Sequence, residues 1–143
     1  MSMNIKIQSL VPDLKFPSYG HPGDAGLDVY ARETQMIESG KRKLFMLGFA
    51  LELPDGYVAL VKDKSSISWK LGLHTIGGVF DAGYRGEYNV GLVNIGQEAV
   101  MIETGQKIAQ LVILPVIHAN VIASEILSDT SRGTNRFGST GQF

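Results

Sequence analysis

A carboxylate and a tyrosine three residues apart in a glycine-rich stretch are the first residues that could do chemistry: Gly77-Gly78-Val79-Phe80-Asp81-Ala82-Gly83-Tyr84-Arg85-Gly86-Glu87. A carboxylate can hold and deprotonate a water aimed at phosphorus, so Asp81 is a candidate general base. Tyr84, on the same short turn, can pack against a sugar or a base. A turn aspartate and a half-buried sheet tyrosine are the plainer alternatives. A second candidate is Arg132-Gly133-Thr134-Asn135-Arg136-Phe137-Gly138-Ser139-Thr140-Gly141, which gathers cations, hydroxyls, small residues and one aromatic ring. Glycines let backbone N–H groups approach phosphate oxygens, hydroxyls donate to them, and arginine supplies a bidentate charge. The end of a glycine- and serine-rich linker has a similar composition.

Three further segments are weaker singly. Lys64-Ser65-Ser66 precedes Ile67-Ser68-Trp69-Lys70, so hydroxyls and N–H groups at the start of a short helix form an anion site or simply cap the helix. Asp24-Ala25-Gly26-Leu27-Asp28-Val29-Tyr30-Ala31 offers Asp28 as a metal or second-layer carboxylate, or as an aspartate in a turn between strands. Gly105-Gln106-Lys107-Ile108-Ala109-Gln110-Leu111 offers Lys107 and Gln110, or only an exposed strand face.

Composition narrows the chemistry. Without cysteine, disulfides, thiolate nucleophiles and Cys-ligated zinc are excluded. His21, His74 and His118 fall in unrelated segments without metal-ligand spacing and read as structural or surface residues. Thirteen Lys and Arg against fourteen Asp and Glu, net charge -1, give no basic face for duplex nucleic acid, and no stable nucleic-acid binding is expected. Any bound anion must be met by locally placed cations. The start, Met1-Ser2-Met3-Asn4-Ile5-Lys6, lacks a signal peptide's apolar core, and no apolar run approaches the roughly twenty residues that span a bilayer. A cytoplasmic location away from membranes is the expectation.

The elements that must position these residues read as strands. At 143 residues, with 44% hydrophobic and 19% charged side chains, the chain suits one globular domain and is too apolar for disorder. Seventeen glycines and five prolines punctuate short β-branched and aromatic runs roughly every eight to twelve residues. Residues 4–9, 43–53, 56–62, 87–94, 99–103 and 107–121 read as strands, and 65–71 as the one helix, opened by serines able to cap it. The fold class is all-β, a jelly roll or related barrel. From Ser124 the apolar period is lost, so residues 1–124 read as a β domain and 125–143 as a tail.

Taken in order, the five segments resemble the motifs of the trimeric dUTPase family: A-G-x-D, a basic residue before Ser-Ser, D-x-x-Y-R-G-E, G-x-[RK]-I-A-Q-L, and R-G-x-x-x-F-G-S-T-G. The resemblance spans nearly the whole chain. It implies a jelly-roll homotrimer that hydrolyses dUTP to dUMP and pyrophosphate, limiting uracil in DNA and supplying dUMP for dTMP synthesis, with active sites at subunit boundaries. Residues 26–28, Ser65, Ser66 and Gln110 would come from one subunit, the 75–88 hairpin from a second, and 132–140 from a third. Thr75 and Gly78 lie in the hairpin, which by resemblance binds uracil through its main chain. Asp81 matches the residue that activates the attacking water, and Tyr84 the one that packs under deoxyribose and excludes a 2′-hydroxyl. Lys64, Ser65 and Ser66 would hold the middle of the phosphate chain, and Gln110 the water or α-phosphate. Arg132, Ser139 and Thr140 would engage the β- and γ-phosphates beside Gly138, and Phe137 would stack over uracil. The resemblance also implies one Mg²⁺ held by the three phosphates, with Asp28 reaching it at most through water.

Lys64 and Lys107 stand where the family usually has Arg, which puts a bidentate phosphate contact or structural ion pair in question. Phe80 replaces a usual Ile and is expected to change packing only. Asn135-Arg136 replaces Gly-Gly, so tail ordering and affinity are expected to change more than the chemistry. The rivals are a dCTP deaminase, whose catalytic Glu falls at Gly91 here, and a non-catalytic nucleotide-binding trimer of the same fold.

Overall fold

The structure is a computed structural model that describes residues 3–136. Among the described residues, twelve strands form four sheets around one core, with one short helix. The largest sheet has the order β2 (Ser18–Tyr19), β3 (Leu27–Tyr30), β12 (Lys107–Pro115), β7 (Tyr57–Lys62), β9 (Val79–Asp81). Opposite it, β10 (Asn89–Asn94) lies between β5 (Arg42–Met46) and β8 (Leu73–Ile76), while β1 (Lys6–Ser9) pairs with β6 (Phe49–Glu52) and β4 (Gln35–Ile37) with β11 (Val100–Ile102). Every pairing is antiparallel. This is the jelly-roll-like all-β architecture that the spacing of turns and strands predicts.

The core follows from alternation. β-Branched and aromatic residues of facing strands point inward, and Val29, Ile37, Phe45, Leu92, Ile108 and Leu111 are fully buried, which removes their apolar surface from water at about 25 cal/mol per Å². Among the described residues, Asn94 and Asp28 are the buried polar side chains. The Asn94 amide donates to Ile37 O (2.9 Å) and Glu98 O (2.8 Å) and accepts from Gly96 N–H (2.9 Å), so burial leaves it satisfied.

Several boundaries differ from the sequence reading. The run at 43–53 is two strands, β5 and β6, because Gly48 takes φ 78° and the chain turns there. The helix α1 (Ser65–Leu71) has the expected bounds, but Lys64 occupies the cap position without a side-chain cap bond, and Ser65 and Ser66 are inside the first turn. The serines therefore do not cap it. Gly72 ends the helix in a left-handed conformation, φ 67°. Asp28 lies within β3 rather than in a turn. β12 stops at Pro115, where Val116 N–H closes onto Gly56 O (2.8 Å), and residues 117–136 are exposed and form no strand or helix.

Candidate active site

At one end of β7 lies an open, polar cleft lined by Gly20, His21, Asp24, Asp28, Lys64, Lys107 and Gln110, among others. Its order comes from neighbouring positions in the sheet: Gln110 of β12 is opposite Asp28 of β3 on one side and Lys62 of β7 on the other. The Asp28 side chain is buried, yet both its oxygens are met. Lys64 Nζ donates to Oδ1 and Lys107 Nζ to Oδ2, each at 2.7 Å. Burial pushes the Asp28 carboxyl up, but the bonds and charges of Lys107 and Lys64 outweigh it and hold the group below its ordinary value, while Asp28 raises that of Lys107. The two lysines thus keep an ion pair at the positions in question, one donor per oxygen. The trio carries one net positive charge, which suits an anion.

Gln110 is held as firmly. Its Nε2 donates to Asp63 O at 2.8 Å, and a Cβ built on Gly26 would come within 1.8 Å of its Oε1, so only glycine at 26 leaves the amide room. Ser65 and Ser66 are exposed on the adjoining first turn of α1.

At the other end of β7 is the second set. Asp81 ends β9 facing solvent, with Phe80 turned inward by alternation. Tyr84 N–H donates to Asp81 O (3.0 Å), closing the turn that brings both side chains onto one loop. Tyr84 is fixed from several directions: its hydroxyl donates to Glu87 O (3.1 Å), its ring packs against Gly86, where a Cβ would meet the hydroxyl oxygen at 2.3 Å, and Phe80 and Tyr88 flank it with centroids 5.5 and 5.9 Å away. Phe80 in turn stacks on Tyr88 at 4.1 Å, so the ring at position 80 is part of the aromatic group that holds Tyr84. Gly78, at φ 89°, lies against β7; its carbonyl accepts from Val61 N–H (2.8 Å) and a Cβ would sit 2.6 Å from Val61 Cβ. Thr75 lies in β8.

Asp81 and Gln110 do not meet within one chain, although Gly78 and Thr75 of the second set lie toward the cleft end of β7. Asp81 is opposite Val58 on β7, whereas Gln110 is opposite Lys62. Four residues of antiparallel strand separate those positions by about 14 Å. Arg132 donates to Asn135 O (3.4 Å) within its own turn, and Phe137, Gly138, Ser139 and Thr140 lie outside the described residues. Among the described residues no group of three His, Cys, Asp or Glu side chains could hold a metal ion, and no helix is long and apolar enough to cross a membrane.

A family model of dUTPases matches residues 13–141. The chain belongs to the dUTPase family. A deoxyuridine 5′-triphosphate nucleotidohydrolase of Clostridium tetani is 39% identical over 140 residues, covering 96% of this chain and 97% of that one. Another, of Beijerinckia indica, is 44% identical over 134 residues, covering 90% and 84%. Among solved structures, the dUTPase of Staphylococcus bacteriophage 80alpha, a G164S mutant with dUpNHpp, superposes with a TM-score of 0.91 at 27% identity over 98% of this chain and 99% of that one.

Within this dUTPase-family chain one residue at the cleft escapes a reading of motifs. Asp63 stands between two lysines, Lys62-Asp63-Lys64, which reads as an ordinary solvated charge run. Its partners lie eleven and twelve residues on, in β8: Oδ2 is 2.7 Å from His74 Nδ1, and Oδ1 accepts from Thr75 N–H (2.7 Å) and Oγ–H (2.6 Å). Burial raises the Asp63 carboxyl, but the Thr75 and His74 bonds hold it below its ordinary value. No local spacing signals such a link, because it depends on where α1 returns the chain.

Proposed function

We propose that this chain hydrolyses dUTP to dUMP and pyrophosphate in the cytoplasm, at sites that each join the polar, lysine-bearing cleft of one copy to the Asp81–Tyr84 loop of another. The observation that carries this reading is the roughly 14 Å of β7 between Gln110 and Asp81. Both are assigned to the same reacting phosphorus, and one substrate cannot bring them together in a single chain. A homo-oligomer in which copies exchange halves removes the conflict, and a closed ring of three is the arrangement its family resemblance implies.

In such a site Asp81 accepts a proton from a water that attacks the α-phosphorus in line. The new P–O bond forms as the bond to the β-bridging oxygen breaks, and pyrophosphate leaves. Lys64, Lys107, Ser65 and Ser66 meet the phosphates, and Gln110 orients the water or α-phosphate, so most of the acceleration comes from placement and charge. Tyr84 packs against the deoxyribose. Residues 125–143 act as a closing tail, with Arg132 on the phosphates and Phe137 over the base.

Mg²⁺ enters with the substrate. Both Asp28 oxygens already accept from ammonium groups and the described residues offer no three-ligand cluster, so the ion would be held chiefly by the substrate's phosphates, where it would offset their charge, with Asp28 reaching it at most through water. Deamination of dCTP is disfavoured by Gly91, where a Cβ would lie 2.8 Å from Ile76 Cγ1 and 3.1 Å from Ile76 O, leaving no unstrained room for a catalytic Glu.

The test is pyrophosphate release from dUTP, dCTP, dTTP and UTP side by side, with Mg²⁺. Release from dUTP well above the others is expected. Production of dUTP from dCTP would replace this reading with the deaminase, and tight dUTP binding without release would replace it with the binder. Release that survives Asp81→Asn would remove Asp81 from its role.

A further inference from the structure

We propose that Asp63 is a specificity-determining residue of this reaction: its carboxylate fixes the hydroxyl of Thr75 so that only an acceptor faces the nucleobase, while its main-chain carbonyl holds the Gln110 amide beside the phosphates. The inference rests on the function proposed above, in which Gln110 serves the phosphate side and the strand carrying Thr75 leads into the uracil hairpin.

The donor count supports it. A threonine hydroxyl has one proton to give, and Thr75 gives it to Asp63 Oδ1 at 2.6 Å, with its own N–H on the same oxygen at 2.7 Å. A carboxylate acceptor makes these bonds short and strong. The remaining valence of the Thr75 oxygen is lone pair. Uracil offers a donor at N3–H, whereas cytosine carries a lone pair at N3, so an acceptor-only hydroxyl matches the first and repels the second.

A second constraint acts through the main chain. Asp63 O can only accept, so the Gln110 group 2.8 Å from it is the NH₂, and an amide flip would set Oε1 against that carbonyl oxygen. Oε1 is thereby turned toward Gly26 and left to accept a hydrogen bond from water. One residue at the β7–α1 junction thus sets a base-side group and a phosphate-side group, which by the exchange of halves described above serve different sites of the assembly.

An aspartate that merely steadied the β7–α1 junction would leave base choice alone. The measurement is therefore the ratio of kcat/KM for dUTP to that for dCTP, by pyrophosphate release, with thermal melting alongside, on full-length Asp63→Ala, Asp63→Asn and Thr75→Val. In Asp63→Ala we expect kcat/KM for dUTP to fall about tenfold to a hundredfold and the dUTP:dCTP ratio to fall about tenfold. Thr75→Val should lose the ratio to the same extent, and Asp63→Asn, whose amide oxygen still accepts from Thr75, should keep more of it. A ratio unchanged in both Asp63→Ala and Thr75→Val, with both substrates slowed equally, overturns the proposal. Should Asp63→Ala not fold, an unchanged ratio in Thr75→Val alone overturns it. Wild-type protein that releases no pyrophosphate from dUTP defeats the underlying function, an outcome distinct from an active wild type whose variants keep their selectivity.

Discussion

Mixing two inactive variants tests whether each site is shared between copies. Asp81→Asn removes the base at one end of β7 and leaves the cleft untouched. Ser66→Glu places a carboxylate on the exposed first turn of α1, where it repels phosphate and leaves the Asp81 loop untouched. The roughly 14 Å between the ends means that an intact half of one chain can only be completed by an intact half of another. When equal amounts are unfolded together and refolded, a given site draws its cleft from an Asp81→Asn chain half the time and its loop from a Ser66→Glu chain half the time. About one quarter of the wild-type sites should then be intact, whatever the number of copies in a closed ring. Pyrophosphate release from dUTP reads this directly, with each variant refolded alone as the blank. A site confined to one chain would give no recovery at any mixing ratio, because every chain carries one defect; that result refutes the geometric argument.

Three further outcomes follow from particular residues. Tyr88 is fully buried, its hydroxyl has no hydrogen-bond partner among the described residues, and burial pushes its pKa up to about 12; Tyr88→Phe should be neutral or stabilising by about 1 kcal/mol in urea unfolding, and a lower midpoint would contradict this. Asp28 has its pKa held down by Lys107 and Lys64 against the effect of burial, so the stability it contributes is present above the ordinary carboxylate pKa and lost as pH falls through the lowered one. Urea midpoints measured down an acid series should fall less steeply in Asp28→Asn than in wild type. Gly78→Ala should cost at least about 2 kcal/mol, since φ 89° is strained for alanine and its Cβ would press on Val61; a variant that melts with wild type would show that the loop relaxes freely.

The sequence made the alternating strands legible because burial on one face leaves a period of two, whereas α1 was read from serines able to open a helix, its apolar Ile67, Trp69 and Leu71 alternating as they would in a strand. Most short strands were not legible: β2, β3, β4, β8 and β9 span two to four residues, too few for a period to register clearly, although the three-residue β11 was read. The extended reading to residue 121 failed for another reason. Apolar residues such as Val116, Ile117 and Val121 continue past Pro115 but are exposed, and a proline at the strand's end marks the stop that hydrophobicity alone conceals. At the site, residue types were legible as motifs, yet their distribution along β7 was not, since register is a property of pairing. Asp63 was hidden for the same reason, its meaning depending on partners in β8.

β7 is flanked by hydrogen-bonded neighbours on both sides, β12 and β9, and buries Val58, Ala59 and Val61 in the core. Removing two of its residues would keep the inward-facing phase but recover only about 7 Å of the gap, at the cost of core side chains and of two pairing registers at once. Removing one would turn every later side chain to the wrong face. The distance between Gln110 and Asp81 is thus fixed by a strand that is paired on both sides. A lineage that begins with shared sites has no gradual path to a self-sufficient monomer, so dependence on assembly, once acquired, is entrenched.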